Sequence, residues 1–325
     1  MPRVICLGEV LIDQIAKDVG VPYDQVSAWQ PYLGGAPANV ACGLAKLGTP
    51  VSLISCVGQD AAGADLLKQL GAAGVETSGV QVHPESTTRE IYVTRDVNGD
   101  RAFNRFNGDA NTVFADTLMS AEHLPVHLFA DAEFLVLGTL GLSNPHTSRA
   151  IGRALKLAEE NFVRVVVDVN WRQMFWQNPE QIIKLLPVLL KYTDFLKMTE
   201  DEARLIFRLT SPAAIAQAYN HLEGILITNG DKDCRYYLGE RPGKHPAFPV
   251  YSTDTTGAGD AFLAAFIHKI YHCPLTKLQD LKFADEVVAY ACAAGALSTL
   301  DVGAIAGQPS DRQICEFLAM RESKH

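Results

Sequence analysis

The sequence predicts an α/β fold with a central, mostly parallel sheet, helices on both of its faces, and a small β-sheet lid. Three observations lead to this prediction. Short apolar runs alternate with helix-like segments along most of the 325 residues, which is the order of a parallel sheet with crossover helices. Two Gly-rich segments, 33–41 and 254–260, each precede a helix of small residues. Between 87 and 106 the apolar residues alternate around a turn signal, as in a hairpin.

The main sheet is predicted from the order of the remaining elements. A first strand at 3–8 and a helix at 36–47 are followed by strand 51–57 and helix 63–74, then by strands 134–138, 163–168, 194–198 and 224–228 and a final Ala-rich helix at 287–300. In open α/β sheets, ligands bind beyond the carboxyl ends of the strands. The residues predicted at those ends are Gly138, Asp168, Asn170, Arg172, Glu200, Thr228 and Gly230.

The lid is predicted to consist of two segments, 12–33 and 88–108. The polar pattern of 13–31 interrupts a simple βαβ start, and Asn98-Gly99-Asp100 is a strong hairpin signal between alternating residues such as Ile91 and Phe103. The residues alone leave open whether this hairpin is a lid or an ordinary surface hairpin. Because no repeat or linker separates two halves, we expect one domain over 1–325 that carries this lid.

Composition excludes several classes of protein. With 48% hydrophobic and 20% charged residues the chain can form a core, and its net charge of −9 argues against nucleic-acid binding. No run approaches the length of a membrane span and no charged leader precedes Val4, so we expect neither export nor a membrane. The cysteines form no CxxC pair, which predicts a reducing, cytoplasmic setting without a zinc site or disulfides. They are Cys6, Cys42, Cys56, Cys234, Cys273, Cys292 and Cys315.

The segment 254–260 reads Asp-Thr-Thr-Gly-Ala-Gly-Asp and leads into the apolar run 261–267. Gly257 and Gly259 allow a tight turn before the helix, and the unpaired amides of its first turn favour an anion such as phosphate. A carboxylate beside such a site is electrostatically costly, so Asp260 is expected to handle a proton or a metal ion. The residues alone leave open that Asp260 caps the helix instead.

Together with Leu33-Gly34-Gly35-Ala36-Pro37-Ala38-Asn39-Val40-Ala41, this segment resembles the two signature regions of the ribokinase-like sugar kinases. The resemblance runs almost from end to end, through Gly8-Glu9-Val10-Leu11-Ile12-Asp13, Asp168-Val169-Asn170-Trp171-Arg172 and Gly303-Ala304-Ile305. The fructokinase branch fits best, since GE-x-LID, GGAPANVA and DTTGAGDAF occur together there. The segments 228–230 and 234–237 resemble its plant and cyanobacterial members. A P-loop enzyme is disfavoured because GxxxxGK[ST] is missing from the sequence.

The resemblance implies an ATP-dependent fructokinase that makes fructose 6-phosphate. Asp260 is then the general base for the attacking sugar hydroxyl, and the amides of Gly257, Ala258 and Gly259 form an anion hole for the phosphoryl oxygens. The implied sugar-site residues are Asp13, Gly34, Gly35, Asn39 and Arg172. Three plainer interpretations stay open. Asp13 could be a solvated lid residue, Asn39 could form a helix-start hydrogen bond, and Arg172 could belong to an ion pair at the end of a strand.

The resemblance also implies ATP with Mg²⁺ as cofactor. Glu200 corresponds to the glutamate of the family's N-x-x-E motif, which organises the water shell of the nucleotide magnesium, although it equally fits an acidic first helical turn. Lys197 replaces the motif's asparagine and is a candidate phosphate contact. Asp233 replaces a later glycine of the T-x-G motif. The nucleotide residues are predicted to be Lys197, Glu200, Thr228, Gly230 and Thr256.

Further expectations concern potassium and partners. Carbonyl groups of Asp254, Thr256 and Gly303 are candidates for a K⁺ site near the anion hole, as in family members. The expected partners are the sugar, ATP and a second copy of the chain through the lid. Two other functions stay open: a kinase for ribose, 2-keto-3-deoxygluconate or another small sugar, and a non-catalytic scaffold. The presence of Asp260 with both glycines favours an enzyme, because a scaffold could lose them.

Overall fold

A computed structural model describes residues 3–96, 101–109, 112–176 and 178–322. The strands are β1 (Arg3–Leu7), β2 (Leu11–Val19), β3 (Trp29–Gly34), β4 (Val51–Gly58), β5 (Glu76–His83), β6 (Glu90–Arg95), β7 (Arg101–Phe106), β8 (Ala132–Gly138), β9 (Arg164–Asp168), β10 (Phe195–Thr199), β11 (Gly224–Thr228), β12 (Asp233–Leu238) and β13 (Arg241–Pro246). The helices are α1 (Ala36–Lys46), α2 (Ala61–Ala72), α3 (Val126–Phe129), α4 (Pro145–Glu160), α5 (Gln181–Leu190), α6 (Glu200–Phe207), α7 (Pro212–Ala218), α8 (Ala258–Tyr271), α9 (Leu281–Ser298) and α10 (Asp311–Glu322).

The main sheet of the described residues has nine strands in the order β13-β12-β11-β10-β9-β8-β1-β4-β5. The strands from β11 to β5 pair in parallel, and β12 and β13 add an antiparallel edge. Helices cover both faces, as β1 shows: Val4 and Cys6 belong to one core cluster, and Ile5 and Leu7 to the other. Burial on both faces explains the continuous apolar runs in the central strands. The predicted α/β fold is confirmed.

The second sheet has the order β3-β2-β6-β7 and follows directly from the carboxyl end of β1. Its side chains alternate between two faces. Leu11 and Ile91 pack toward the main body, whereas Tyr92 on the opposite face contacts Trp29 and Tyr23. A second small sheet is therefore confirmed. The predicted turn Asn98-Gly99-Asp100 lies outside the described residues.

Two parts of the fold differ from the prediction. The helix predicted at 287–300 begins earlier, because Asp280 caps α9 by accepting a hydrogen bond from Lys282 N at 2.9 Å. It is also not the last helix, since α10 follows it. Strands β5, β12 and β13 were not predicted. Strand β12 alternates between buried and partly exposed residues, β5 is mostly partly exposed and β13 has no buried residue, as expected near a sheet edge. Among the described residues, no helix has the length and apolar character needed to cross a bilayer.

Candidate active site

A cavity of about 800 Å³ lies beyond the carboxyl ends of β1, β9, β10 and β11, where the second sheet approaches the main one. We call the part lined by Glu9, Leu11, Asp13, Ile91 and Phe103 the small-sheet end. The opposite part, the edge-strand end, is lined from β11, β12, α9 and the segment 247–252. Of the predicted strand-end residues, five line the cavity and Gly138 and Glu200 do not. The five are Asp168, Asn170, Arg172, Thr228 and Gly230.

The segment 254–260 lies between the two ends of the cavity. Gly257 precedes α8 with φ 72°, a left-handed conformation that glycine adopts without strain. Helix α8 begins at Ala258, so Gly257 holds the N-cap position and Asp260 is the third residue of the helix. Asp260 therefore does not cap the helix through the N-cap position. The first amides of α8 and the Asp260 carboxylate instead border the same cavity.

The two Gly-rich segments meet at this point. Asn39, on α1, is buried, and its Nδ2 donates a 2.8 Å hydrogen bond to Asp260 Oδ2. Asn39 Oδ1 is also buried, and it has no partner among the described residues. An unsatisfied buried oxygen costs about 1–3 kcal/mol. A ligand hydroxyl in the cavity would satisfy it.

The start of α1 is shaped by glycines and a buried carboxyl group. A Cβ atom on Gly34 would lie 2.5 Å from Asp13 Oδ2, so the glycine leaves room for that carboxylate. Gly35 has φ 98°, and a Cβ atom there would lie 2.5 Å from the carbonyl oxygen of Glu9. Glu9 Oε1 accepts a 3.2 Å hydrogen bond from Ala36 N at the start of the helix. Burial raises the pKa of Glu9 to about 7. Glu9 was not predicted as a site residue.

The electrostatics around Asp260 suit a proton acceptor. Burial raises its pKa to about 6, while the Asn39 hydrogen bond and the nearby Lys197 and Arg172 charges hold the pKa down and Asp168 raises it further. A carboxyl group with a pKa near 6 is ionised at neutral pH, yet it is a better base than an ordinary aspartate. The arrangement therefore fits general-base chemistry.

Lys197, on β10, also lies against the segment 254–260. Its Nζ forms a buried 2.7 Å ion pair with Asp168 Oδ2. Burial lowers the pKa of Lys197, but Asp168, Asp260 and Glu202 together outweigh burial and the net shift is upward, so the ammonium stays charged. A Cβ atom on Gly259 would lie only 2.9 Å from Nζ. Lys197 thus brings a fixed positive charge to the loop predicted to hold the phosphoryl oxygens.

Glu200 does not reach the cavity. Its Oε1 pairs with Arg204 at 2.7 Å, and its Oε2 pairs with Arg235 and accepts a 2.5 Å hydrogen bond from Asn229. Both carboxylate oxygens are therefore engaged at the start of α6. Arg172 does line the cavity. Its side chain is 45% exposed, and Nη1 is 3.9 Å from Glu202 Oε1, which is a long ion pair that leaves the guanidinium accessible.

The residues predicted for potassium come together around Asp254. Its buried carboxylate accepts hydrogen bonds from Thr256 N at 3.0 Å and from Gly303 N at 2.9 Å. Asp254 thereby fixes the loop before α8 to the segment after α9. Within the part of the chain that the structure describes, no group of three or more His, Cys, Asp or Glu residues could hold a metal ion.

The chain is similar to known carbohydrate kinases over nearly its whole length. The model of the pfkB family carbohydrate kinases matches residues 1–311. Fructokinase-1 of Zea mays is 30% identical over 328 residues, which cover 97% of each protein. The structure of Xylella fastidiosa fructokinase with bound ATP has a TM-score of 0.88 at 25% identity, covering 98% of this chain and 99% of that one. A double mutant of Vibrio cholerae fructokinase with fructose, ADP and potassium bound has a TM-score of 0.84 at 23% identity over 98% of both chains, a likeness of fold alone.

Proposed function

Because the chain belongs to the pfkB family of carbohydrate kinases and is an ATP-dependent sugar kinase, we propose that its sugar is fructose. The γ-phosphoryl group of ATP would be transferred to the 6-hydroxyl. The similarity to plant fructokinases at about 30% identity over nearly the whole chain supports fructose over other sugars. Ribose and 2-keto-3-deoxygluconate are the competing substrates.

The observation that carries the proposed mechanism is the hydrogen bond from Asn39 to Asp260. It joins the segment proposed for the sugar to the segment proposed for the phosphoryl group. With Oδ2 held by Asn39, Oδ1 of Asp260 is the oxygen that accepts the proton of the sugar hydroxyl. As that proton leaves, the hydroxyl oxygen attacks the γ-phosphorus, and the bond to the β,γ-bridging oxygen of ATP breaks.

Charge on the transferring group would be balanced by the start of α8. The amides of Gly257 and Gly259 would donate to its oxygens, joined by that of Ala258 once its 3.3 Å hydrogen bond to the Thr255 carbonyl opens, and the helix dipole favours negative charge there. Lys197, next to Gly259, adds a positive charge without having to move. Arg172 lies at the cavity wall with an accessible guanidinium group and would contact a phosphate or the sugar.

The sugar would occupy the small-sheet end of the cavity. Asp13 and the unpaired Asn39 Oδ1 would take its hydroxyl groups. Gly34 would act indirectly by leaving room for the Asp13 carboxylate, and Gly35 lines the cavity. Leu11, Ile91 and Phe103 supply an apolar wall from the second sheet. In this proposal, the second sheet is a lid over the sugar. Its outer aromatic cluster, built around Trp29 and Tyr92, is the surface we propose for a second copy of the chain.

ATP would occupy the edge-strand end, where Thr228 and Gly230 lie at the end of β11 and Thr256 precedes the anion hole. Magnesium would come with the ATP phosphates, since it usually keeps several waters and takes few protein ligands. Glu200, paired with two arginines, does not fit the role of organising those waters. We propose the carbonyl groups of Asp254, Thr256 and Gly303, which the hydrogen bonds to the Asp254 carboxylate hold near one another, as a potassium site; a bound cation there would add positive charge beside the anion hole.

The test is a panel of initial rates with ATP·Mg²⁺ and fructose, ribose, tagatose, adenosine or 2-keto-3-deoxygluconate. We expect the highest kcat/KM for fructose, with NMR of the product showing phosphate on the 6-position. A higher kcat/KM for ribose or 2-keto-3-deoxygluconate would refute the substrate while leaving the family unchanged. Phosphate on the 1-hydroxyl would refute the proposed orientation of fructose.

A further inference from the structure

Two cysteines face each other at the edge-strand end of the cavity. Cys234 lies on β12 and is 2% exposed, and Cys292 lies on the face of α9 that also presents Gly295 and Ala296 to the cavity. Helix α9 packs against both β12 and β13, and the two thiols are close enough for each to shift the pKa of the other. Phosphoryl transfer as proposed above uses neither thiol.

A histidine completes the cluster. His245 lies opposite Cys234 in the antiparallel register of β12 and β13, and its ring also reaches the Cys292 thiol. His245 Nδ1 is 2.8 Å from the carbonyl oxygen of Pro246. A carbonyl oxygen only accepts, so Nδ1 carries a hydrogen, and the neutral ring presents the lone pair of Nε2. His245 can therefore take the proton of Cys292.

The two thiols are not equivalent. The contact with Cys234 has the largest effect on the pKa of Cys292 and, with the help of His245, lowers it to about 6 in spite of burial. The same pairing and burial raise the pKa of Cys234. Asp285 opposes ionisation of Cys292, and Lys197 favours ionisation of Cys234. Cys292 is also the less buried of the two thiols, so it is the nucleophile of the pair and Cys234 is positioned to react second.

We propose that Cys234 and Cys292 form a redox-active dithiol that hydrogen peroxide converts to a disulfide within the cavity. The Cys292 thiolate attacks one peroxide oxygen, the O–O bond breaks, and the released hydroxide takes a proton from His245 to form water. Cys234, losing its proton, attacks the sulfenic sulfur and displaces the second oxygen as water. Two thiols and one peroxide give one disulfide and two waters, and the sulfur atoms supply both electrons.

The disulfide would inhibit the kinase by changing the shape of the cavity at its edge-strand end. Bond formation brings the sulfur atoms to about 2.05 Å and fixes α9 to β12. This consequence rests on the proposed placement of ATP at that end. The disulfide itself does not depend on that placement, so the two can be tested separately.

The experiment treats the full-length, reduced protein with hydrogen peroxide, digests it without reductant, and maps disulfide-linked peptides by mass spectrometry. We expect a 234–292 linked pair, loss of kinase activity, and recovery with dithiothreitol. Cys234→Ser should instead leave Cys292 as a sulfenic acid that dimedone traps. Cys315→Ser, which removes an exposed thiol with a raised pKa, is the matched control and should behave as wild type.

Thiol reactivity gives an independent measurement. At pH 7, iodoacetamide should modify Cys292 at least about tenfold faster than Cys315. Equal rates, or oxidation of other thiols without a 234–292 pair, would overturn the proposal. A second arm adds ATP before peroxide. Protection by ATP supports its placement at this end, whereas formation of the disulfide at an unchanged rate would refute that placement and leave the dithiol standing.

Discussion

A Cβ atom on Gly257 would lie 2.7 Å from the Cβ of Ala304, so the loop before α8 and the segment after α9 touch where the anion hole is proposed. Gly257 also has φ 72°, a conformation that costs other residues about 1–2 kcal/mol. A side chain at this position therefore meets both strain and a close neighbour. The loop could relieve the contact only by shifting its amides.

We expect Gly257→Ala to lower kcat by at least about tenfold, since small misplacements of catalytic groups are costly. Sugar binding should change little because the residues proposed to hold the sugar hydroxyls, Asp13 and Asn39, lie on β2 and α1 and not in this loop. Gly48→Ala is the matched control: Gly48 has φ 88°, but a Cβ atom there would have no neighbour within 4 Å. Both variants should have a lower melting temperature than wild type, because both strain the backbone, but only Gly257→Ala should have a lower kcat. Equal kinetics in the two variants would argue against the anion hole.

The pH profile should report Asp260. Because its pKa is raised to about 6, kcat/KM should fall as pH drops through about 6, where the base becomes protonated. Asn39→Ala removes a hydrogen bond that stabilises the charged form, so the same limb should move to higher pH. The two proteins are compared by the pH at the midpoint of this limb and not by the absolute rate, because Asn39→Ala also loses a sugar contact and is slower at every pH. A limb that stays in place would mean that another group titrates.

The role of Glu200 can be tested by mutation. The sequence predicts a role in the magnesium water shell, whereas the structure places its carboxylate between Arg204 and Arg235. We expect Glu200→Ala to lower the melting temperature and to leave the magnesium dependence of the rate nearly unchanged. Arg204→Ala, which removes the more exposed partner, is the control and should cost less stability, because exposed pairs contribute about 0–1 kcal/mol. A large rise in the magnesium requirement would restore the predicted role.

How far the sequence predicts this protein depends on the kind of contact. Strands such as β4 and β11 are evident because burial on both faces makes them largely apolar. The segment 254–260 predicts a phosphate site locally. The family resemblance assigns Asn39 and Asp260 to one active site, but their direct contact, across 221 residues of sequence, was not predicted. The polar strands β12 and β13 and helix α10 carry weak patterns. The cluster of Cys234, His245 and Cys292 arises only from their register and from the packing of α9, so no spacing rule could indicate it.

The last prediction separates a general base from a structural carboxylate. Asp260→Asn keeps the size of the side chain but removes the proton acceptor, and general-base catalysis contributes about 10² to 10⁴ in rate. We expect kcat to fall at least about a hundredfold. Direct binding of fructose should change little if Asp13 and Asn39 carry it. Binding of a non-hydrolysable ATP analogue should be equal or slightly tighter, because a negative charge near the phosphates is gone.

Stability provides the control for this variant. The pKa of Asp260 is higher in the folded protein than its ordinary value of 3.8, so its contribution to stability is fully present below about pH 4 and is lost as pH rises through about 6. Asp260→Asn does not titrate, and its stability relative to wild type should therefore be greater at pH 8 than at pH 4. A variant with near-normal kcat would show that Asp260 is not the base. A variant that loses binding and folding together would show a structural residue, because removal of a base alone leaves both intact.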